Sequence, residues 1–464
     1  MGDAPNRLRA LREQAGLTQQ DVADRISALD SRRVPTASTV SRWERGEVAP
    51  GLPYRRLLAE VLGVTIEALE ISAPLSRPLV DEFAAEVDVR VAESQDRWRR
   101  TRQALNVSRH QLAQAAAALY PDARLGSTGL ITGPGWLPDA PVDLATIRLV
   151  EDPHAAPPVM DGTESETGLV RPQQTLVRQY SRYTHAIRDL ARPRLFENRL
   201  SWRLLDVDWS NGGRLGFGDT TYFEATDVFE SLAHELAYVG LDEGGSLVRP
   251  RLALRDLPYR RRIGSPFDLS RRPVLGAIST LTVRRSPDGS AEFLLHRRDP
   301  RSVTAAGGML QVIPSGIFQP SSPMPAARLA DFDLWRNVQR EFFEELAGLP
   351  EAGGDGRPVD YASEPFAGLD RARAEGRLRV YCLGVALDAL TLFGEIMTVL
   401  VLDSDVFDDL AADFVEANDE GRVVAERFAF DEGTIRGLLD GGRLAPAGAG
   451  CVELAWRWRD RLLG

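Results

Sequence analysis

Between Leu17 and Pro50 the chain carries two short helical patterns, each opened by a threonine and separated by one polar turn. Thr18 is placed to cap the first, where Val22, Ala23 and Ile26 fall at core spacing. Thr36 is placed to cap the second, ASTVSRWERG, where Val40 and Trp43 share an inward stripe. Neither helix is long enough to be stable alone, so the two must bury their stripes against each other in a small bundle. The same periodicity leaves Ser38, Thr39, Ser41 and Arg42 on the outer side.

Such a bundle uses a small part of the 464 residues. A chain this long exceeds one hydrophobic core, and domains of roughly 100–200 residues are expected. Composition and turn signals suggest boundaries at 1–72, 79–168, 169–265 and 266–464. ISAPLSRP (71–78) reads as a linker, GSTGLITGPGWLPDAPVD (126–143) as irregular, and HAAPPVMDGTESETG (154–168) as an exposed connection. QTLVRQYSRYTHAIRDL reads as a helix, LSWRLLDVDW as a strand, and GRLGFGDTTYFEATDVFESLAHELA as a strand followed by a helix. VLGAISTLTVRR and AEFLLHRR read as strands around the turn SerProAspGly.

The net charge of −11 argues against a chain that coats nucleic acid throughout. Residues 1–72 balance ten arginines against ten acids, so any nucleic-acid contact would have to rest on local placement. No lysine occurs, which excludes Schiff-base and P-loop lysine chemistry. Two cysteines without CxxC spacing support neither a thiolate metal cluster nor a disulfide framework. MGDAPNRLRA has no apolar core of a signal peptide, and Val380–Leu402 is broken by Asp388 and Glu395. The expectation is paired buried strands in a cytoplasmic protein with no membrane partner. His234-Glu235 lacks the second histidine of a zinc helix, and Trp98 in RWRR is expected to pack.

The segment 6–72 resembles the Cro/C1-type (XRE) family of helix-turn-helix regulators, on LTQ at 17–19 and STVSRWERG followed by a proline. The resemblance implies double-stranded DNA as partner, Gln19 on a phosphate, and Thr36, Ser38, Thr39, Ser41 and Arg42 at the major groove. It also implies a homodimer on two half-sites. The turn SALDSRRVP is longer than the family's, and places Arg32 and Arg33 near the backbone of a bound duplex.

Far downstream, Glu341, Glu344 and Glu345 lie at i, i+3 and i+4, so one helix places them on one face. Val338, Phe342 and Leu346 can pack inward. REFFEEL at 340–346, with Pro314 and Gly316 upstream, resembles the signature helix and glycine turn of Nudix domains. That resemblance implies Mg²⁺ on Glu341, Glu344 and Glu345, catalytic roles for Glu344, Glu345 and Arg340, and Pro314 and Gly316 in binding the nucleotide group. It implies a Nudix-like α/β/α sandwich over about 270–464. Twenty-three residues separate Gly316 from Arg340, about ten more than the family pattern. Asp331 and Asp333 are the nearest substitutes for the missing upstream acid, and Asp388 or Glu395 could supply a fourth ligand.

The expected fold class is multidomain α+β: an all-α helix-turn-helix bundle, a mixed α/β middle and the sandwich. The expected function is a DNA-binding transcriptional regulator sensing a nucleotide-derived ligand. The alternatives are a Mg²⁺-dependent hydrolase of a nucleoside diphosphate linked to another group, and a non-catalytic scaffold.

Overall fold

The structure is a computed structural model that describes residues 7–30, 33–45, 48, 50–65, 69, 88–193, 196–242, 244–248, 252–297, 309–350, 358–415, 417–418, 421–422 and 425–464. It forms two compact units, Met1–Asp88 and Val89–Gly464. The linker expected at 71–78 lies outside the described residues.

The first unit contains α1 (Arg7–Gln14), α2 (Gln19–Leu29), α3 (Ala37–Glu44) and α4 (Leu52–Leu62). Thr18 and Thr36 cap α2 and α3 as their positions predict, each through a reciprocal box with the residue three further on. Leu8, Val22, Ala23, Ile26, Val40, Trp43 and Leu58 close one core. The inter-helix turn is shorter than the sequence suggests, because Ser27, Ala28 and Leu29 complete α2.

The second unit opens with α5 (Val89–Val107) and α6 (Arg109–Ala117), then β1 (Leu130–Ile131), β2 (Val142–Asp143) and β3 (Arg148–Glu151). A hairpin of β4 (Gln173–Thr175) and β5 (Arg178–Gln179) precedes the short α7 (Tyr183–Ala186). Next come β6 (Leu200–Asp208), β7 (Arg214–Thr221), α8 (Tyr222–Gly240) and α9 (Pro258–Ile263). The chain continues through β8 (Gly276–Arg285), β9 (Ala291–Arg297), β10 (Leu310–Val312) and β11 (Ser315–Ile317). Helices α10 (Pro325–Asp331), α11 (Leu334–Leu346) and α12 (Phe366–Ala374) lead to β12 (Leu378–Asp388) and β13 (Gly394–Asp403). After α13 (Ser404–Ala411), β14 (Ala417–Asn418), β15 (Gly421–Arg422) and β16 (Ala425–Ala429), the helices α14 (Glu432–Asp440) and α15 (Pro446–Arg457) follow.

One sheet dominates, in the order β1-β12-β13-β8-β9-β10, with β2 on β12, β11 on β8 and β16 on β9. Strands β13 and β8 run parallel, and their neighbours antiparallel. Alternation along β13 sends Ile396, Leu400 and Leu402 to one core and Met397, Val399 and Val401 to another. The first core lies against α11 and the second against α15, a helix–sheet–helix arrangement. A smaller sheet, β3-β7-β6, packs Trp202 and Phe217 on Phe318 beside β11. No helix among the described residues is long and apolar enough to cross a membrane.

Three local expectations are corrected. The stretch 126–143 supplies β1 and β2 to the main sheet, so the boundaries expected at 168 and 265 are not boundaries in space. Only the first part of the helix expected over residues 174–190 is instead the β4–β5 hairpin, held to α5 by Ser94 and Gln95; from Tyr183 to Ala191 the segment is helical. The connection 154–168 buries Met160 and Thr167 and pairs its backbone with Ser270 and Arg271.

Candidate functional site

Helix α3 is fixed at both ends. At its start the Thr39 N–H donates to Thr36 Oγ1 (3.2 Å) and the Thr36 N–H donates to Thr39 Oγ1 (3.4 Å). A cap of this kind stabilises a helix by about 1 kcal/mol. At its end Glu44 is buried and accepts from Arg12 Nε (2.5 Å) and from Gln19 Nε2 (2.7 Å). Arg12 also donates to the Leu17 carbonyl (2.8 Å), and its hydrogen bond to Glu44 holds its pKa above the usual guanidinium value. One buried carboxylate therefore ties α1, the start of α2 and the end of α3 together.

That knot alters the expected contact set. The amide of Gln19, assigned to a phosphate, donates to Glu44 instead. Thr36 and Thr39 direct their hydroxyls to the capping box, and Ser41 Oγ accepts from Arg45. Ser38 and Arg42 remain exposed on the outer face. Arg33 pairs with Asp30 (3.0 Å) and lies over the Tyr54 ring. Arg32 lies outside the described residues.

Helix α11 is enclosed. Asn337, Gln339, Arg340 and Glu345 are buried along with the apolar Val338, Phe342 and Leu346. Glu345 accepts from the Ser315 N–H (3.2 Å). The Glu341 carboxylate occupies the space where a side chain at position 316 would stand, which accounts for Gly316. Pro314 precedes this contact through a cis peptide bond. Arg340 donates to the Gln319 carbonyl (2.9 Å) and lies 3.7 Å from Asp331, 3.7 Å from Glu341 and 4.0 Å from Glu344. Burial opposes its charge, but Glu341, Tyr361, Glu344 and Asp331 outweigh that and raise its pKa.

The structure thus brings Arg340, Glu341 and Glu344 together around a salt-bridged guanidinium. Asp331 joins them, held by the Tyr361 hydroxyl (2.6 Å) and by Ser321. Asp333 caps α11 through the Trp335 and Arg336 N–H groups. Neither proposed fourth ligand joins them. Asp388 accepts from the Leu390 N–H in the β12–β13 turn. Glu395 lies on the α15 side of the sheet, bonded to Ser279 Oγ (3.1 Å), whereas α11 covers the opposite face. Among the described residues no group of three or more acids, histidines or cysteines is arranged to hold a metal ion.

A buried network in the second unit escaped the sequence reading. Arg102 Nη1 donates to Glu230 (2.5 Å) and to the Tyr183 hydroxyl (3.2 Å), which bonds His234 Nδ1 at 2.8 Å. Trp98 stacks on His234. Burial, then the Arg102 charge, push the His234 pKa down to about 3. Its neighbour Glu235 accepts from the Tyr259 and Arg260 N–H groups at the start of α9. Only the helical spacing of Trp98 with Arg102, and of Glu230 with His234, hinted at this cluster. Burial raises both thiols, Cys382 to about 12 and Cys451 well above its usual value, so neither is activated as a nucleophile.

A small helical bundle whose second capped helix turns a serine and an arginine to solvent belongs structurally with the helix-turn-helix class. Residues 6–70 match the family described as "Helix-turn-helix domain". This unit is therefore a helix-turn-helix domain, a module that points to DNA binding. No curated protein matches the chain.

Proposed function

We propose that the chain is a sequence-specific DNA-binding transcriptional regulator whose second unit senses a nucleotide-diphosphate-type ligand. The observation that carries the reading is α3: a helix locked at both ends inside a helix-turn-helix domain, with Ser38 and Arg42 outward. A short donor and a forked guanidinium on such a helix suit base edges and phosphates of the major groove. Thr36 and Thr39 hold the helix end that approaches them, and Ser41 steadies Arg45. A homodimer follows from the two-half-site geometry such helices use, on a cytoplasmic operator duplex.

We read the second unit as Nudix-like from its helix–sheet–helix layering, the Pro314–Gly316 turn and the acidic α11. A Mg²⁺-dependent hydrolase is the less favoured reading. Its donor set, Glu341, Glu344 and Glu345, does not fit a divalent ion as arranged, because Arg340 sits among the carboxylates and Ser315 occupies Glu345. The ligand's differential affinity for two arrangements of the unit would then shift DNA affinity.

The experiment uses the full chain, since a fragment from residue 266 onward would lack β1 and β2. Selection from a randomised duplex pool should return one inverted-repeat site. Diphosphate-linked nucleotides should raise the melting temperature of the second unit and change affinity for that site, without Mg²⁺-dependent turnover. Turnover abolished by Glu344→Gln would overturn the sensor in favour of the hydrolase. A selected site unaffected by every nucleotide would leave a scaffold.

A further inference from the structure

Two arginines lie wholly inside the second unit. Arg260, in α9, and Arg272, in the segment leading to β8, are each 1% exposed. Arg260 Nη1 donates to the Ala389 carbonyl (2.7 Å) and its Nη2 to the Leu390 carbonyl. Arg272 Nη2 donates to the Leu392 carbonyl (3.2 Å). All three acceptors belong to the β12–β13 turn, where Leu392 stands in the left-handed region (φ 59°). The pair thus satisfies the backbone of a buried turn, but carbonyl dipoles do not neutralise two whole charges taken out of water.

The carboxylates that act on the pair are engaged elsewhere. Glu235 accepts from the backbone N–H groups of Tyr259 (2.6 Å) and Arg260 (3.0 Å). Asp268 accepts from the Ser270 N–H (3.1 Å) and hydroxyl (2.6 Å). Among the described residues neither guanidinium forms an ion pair with an acid, whereas Arg102, Arg182 and Arg340 each do. Burial pushes the Arg272 pKa down to about 10; Tyr120 opposes that, and the Arg260 charge adds to it.

Two donors on the pair remain unused. Arg260 Nε and Arg272 Nη1 are buried and have no hydrogen-bond partner. Buried polar groups in folded proteins are nearly always satisfied, so each of these calls for an acceptor. The kind of acceptor follows from what is already committed. A carboxylate or phosphate is gripped by two parallel N–H groups of one guanidinium. Both Nη atoms of Arg260 and one of Arg272 are taken by carbonyls, which leaves one buried spare N–H group on each. A monatomic anion accepts such single donors from more than one side.

We infer that Arg260 and Arg272 hold a buried monatomic anion such as chloride, which accepts from Arg260 Nε and Arg272 Nη1. The ion supplies the counter-charge for the two guanidiniums that fix the β12–β13 turn. The site is separate from the nucleotide and DNA readings above and depends on neither.

The test uses the full chain. Urea unfolding is followed in each unit at constant ionic strength while chloride replaces gluconate, an anion too large for an enclosed site. Once the site fills, the unfolding constant of the second unit should fall about tenfold for each tenfold rise in chloride. The first unit, whose Arg12 is already paired with Glu44, should not respond and serves as the reference. Arg272→Met, which removes the charge and keeps a long side chain, should abolish the response. Wild-type crystals grown in bromide give a second reading that needs no variant: an anomalous peak is expected beside Arg260 Nε and Arg272 Nη1. Equal stability in chloride and gluconate overturns the inference, as does a response shared by both units or retained in Arg272→Met. An anomalous map without that peak also overturns it, by assigning the two donors to water.

Discussion

Helices α3 and α11 carry the two most informative segments of the sequence, and the fold handles their polar residues in opposite ways. On α3 the charge at the end of the helix, Glu44, is buried and paired, while Ser38 and Arg42 reach solvent. On α11 almost every side chain is buried, and Arg340 is surrounded by carboxylates it must neutralise. The difference lies in neighbours. Helix α3 is covered on one face by three short helices, whereas α11 is packed by the main sheet, α10, α12 and the turn following β2. A motif helix presents chemistry only to the extent that its surroundings leave a face open.

The sharpest way to break this comparison is to remove the two organising partners. Arg340→Ala should destabilise the second unit by about 3–5 kcal/mol, because it strands buried carboxylates. Glu44→Ala should cost the first unit less, about 2–3 kcal/mol, since Arg12 lies nearer the surface and can regain water. Urea unfolding of the full chain, followed by probes in each unit, checks both. Equal losses would show that enclosure does not distinguish the two helices.

Arg42→Ala should weaken binding to a selected duplex about tenfold while leaving the melting temperature unchanged. A variant that binds as tightly at low and high salt as the wild type would remove Arg42 from the interface.

Protonation sharpens the contrast further. No histidine occurs in residues 1–88, whereas His234 is held neutral inside the second unit. The unfolded chain takes up a proton near pH 6.5 and the folded chain does so only near 3, so stability present above 6.5 is lost as pH falls. The loss approaches about 1.4 kcal/mol per pH unit. Asp227 and Glu235, whose pKa burial raises, act in the opposite sense. The quantity to measure is therefore the difference between wild type and His234→Gln from pH 7 to 5. Parallel profiles would mean that the imidazole is not held neutral.

The smallest effect is expected at Gly316. An alanine there would meet the Glu341 carboxylate, the movable end of a long side chain, so it should cost about 1 kcal/mol or less. Its main consequence should be altered nucleotide affinity, read by the same melting assay used for the ligand panel.

These contrasts mark what the sequence could and could not convey. Caps are local, so Thr18 and Thr36 could be placed from spacing alone. The strands β6, β8, β9, β12 and β13 likewise follow their apolar patterns. Partnerships between distant segments were hidden. Nothing near Gln19 announces Glu44, and nothing near Arg340 announces the Gln319 carbonyl. The short edge strands β1 and β2 carry too few residues to show alternation among their glycines and prolines, and exist because β12 offers them a register.

That register sets the order in which the molecule is completed. Thr132 Oγ1 donates to the Val385 carbonyl across 253 positions of chain. At a synthesis rate of about 5–20 residues per second, the ribosome needs on the order of 10–50 s to supply the second partner after the first. Helices α1 to α4 draw on neighbours made within moments of each other. The nascent chain therefore holds a finished helix-turn-helix domain well before its principal sheet can close.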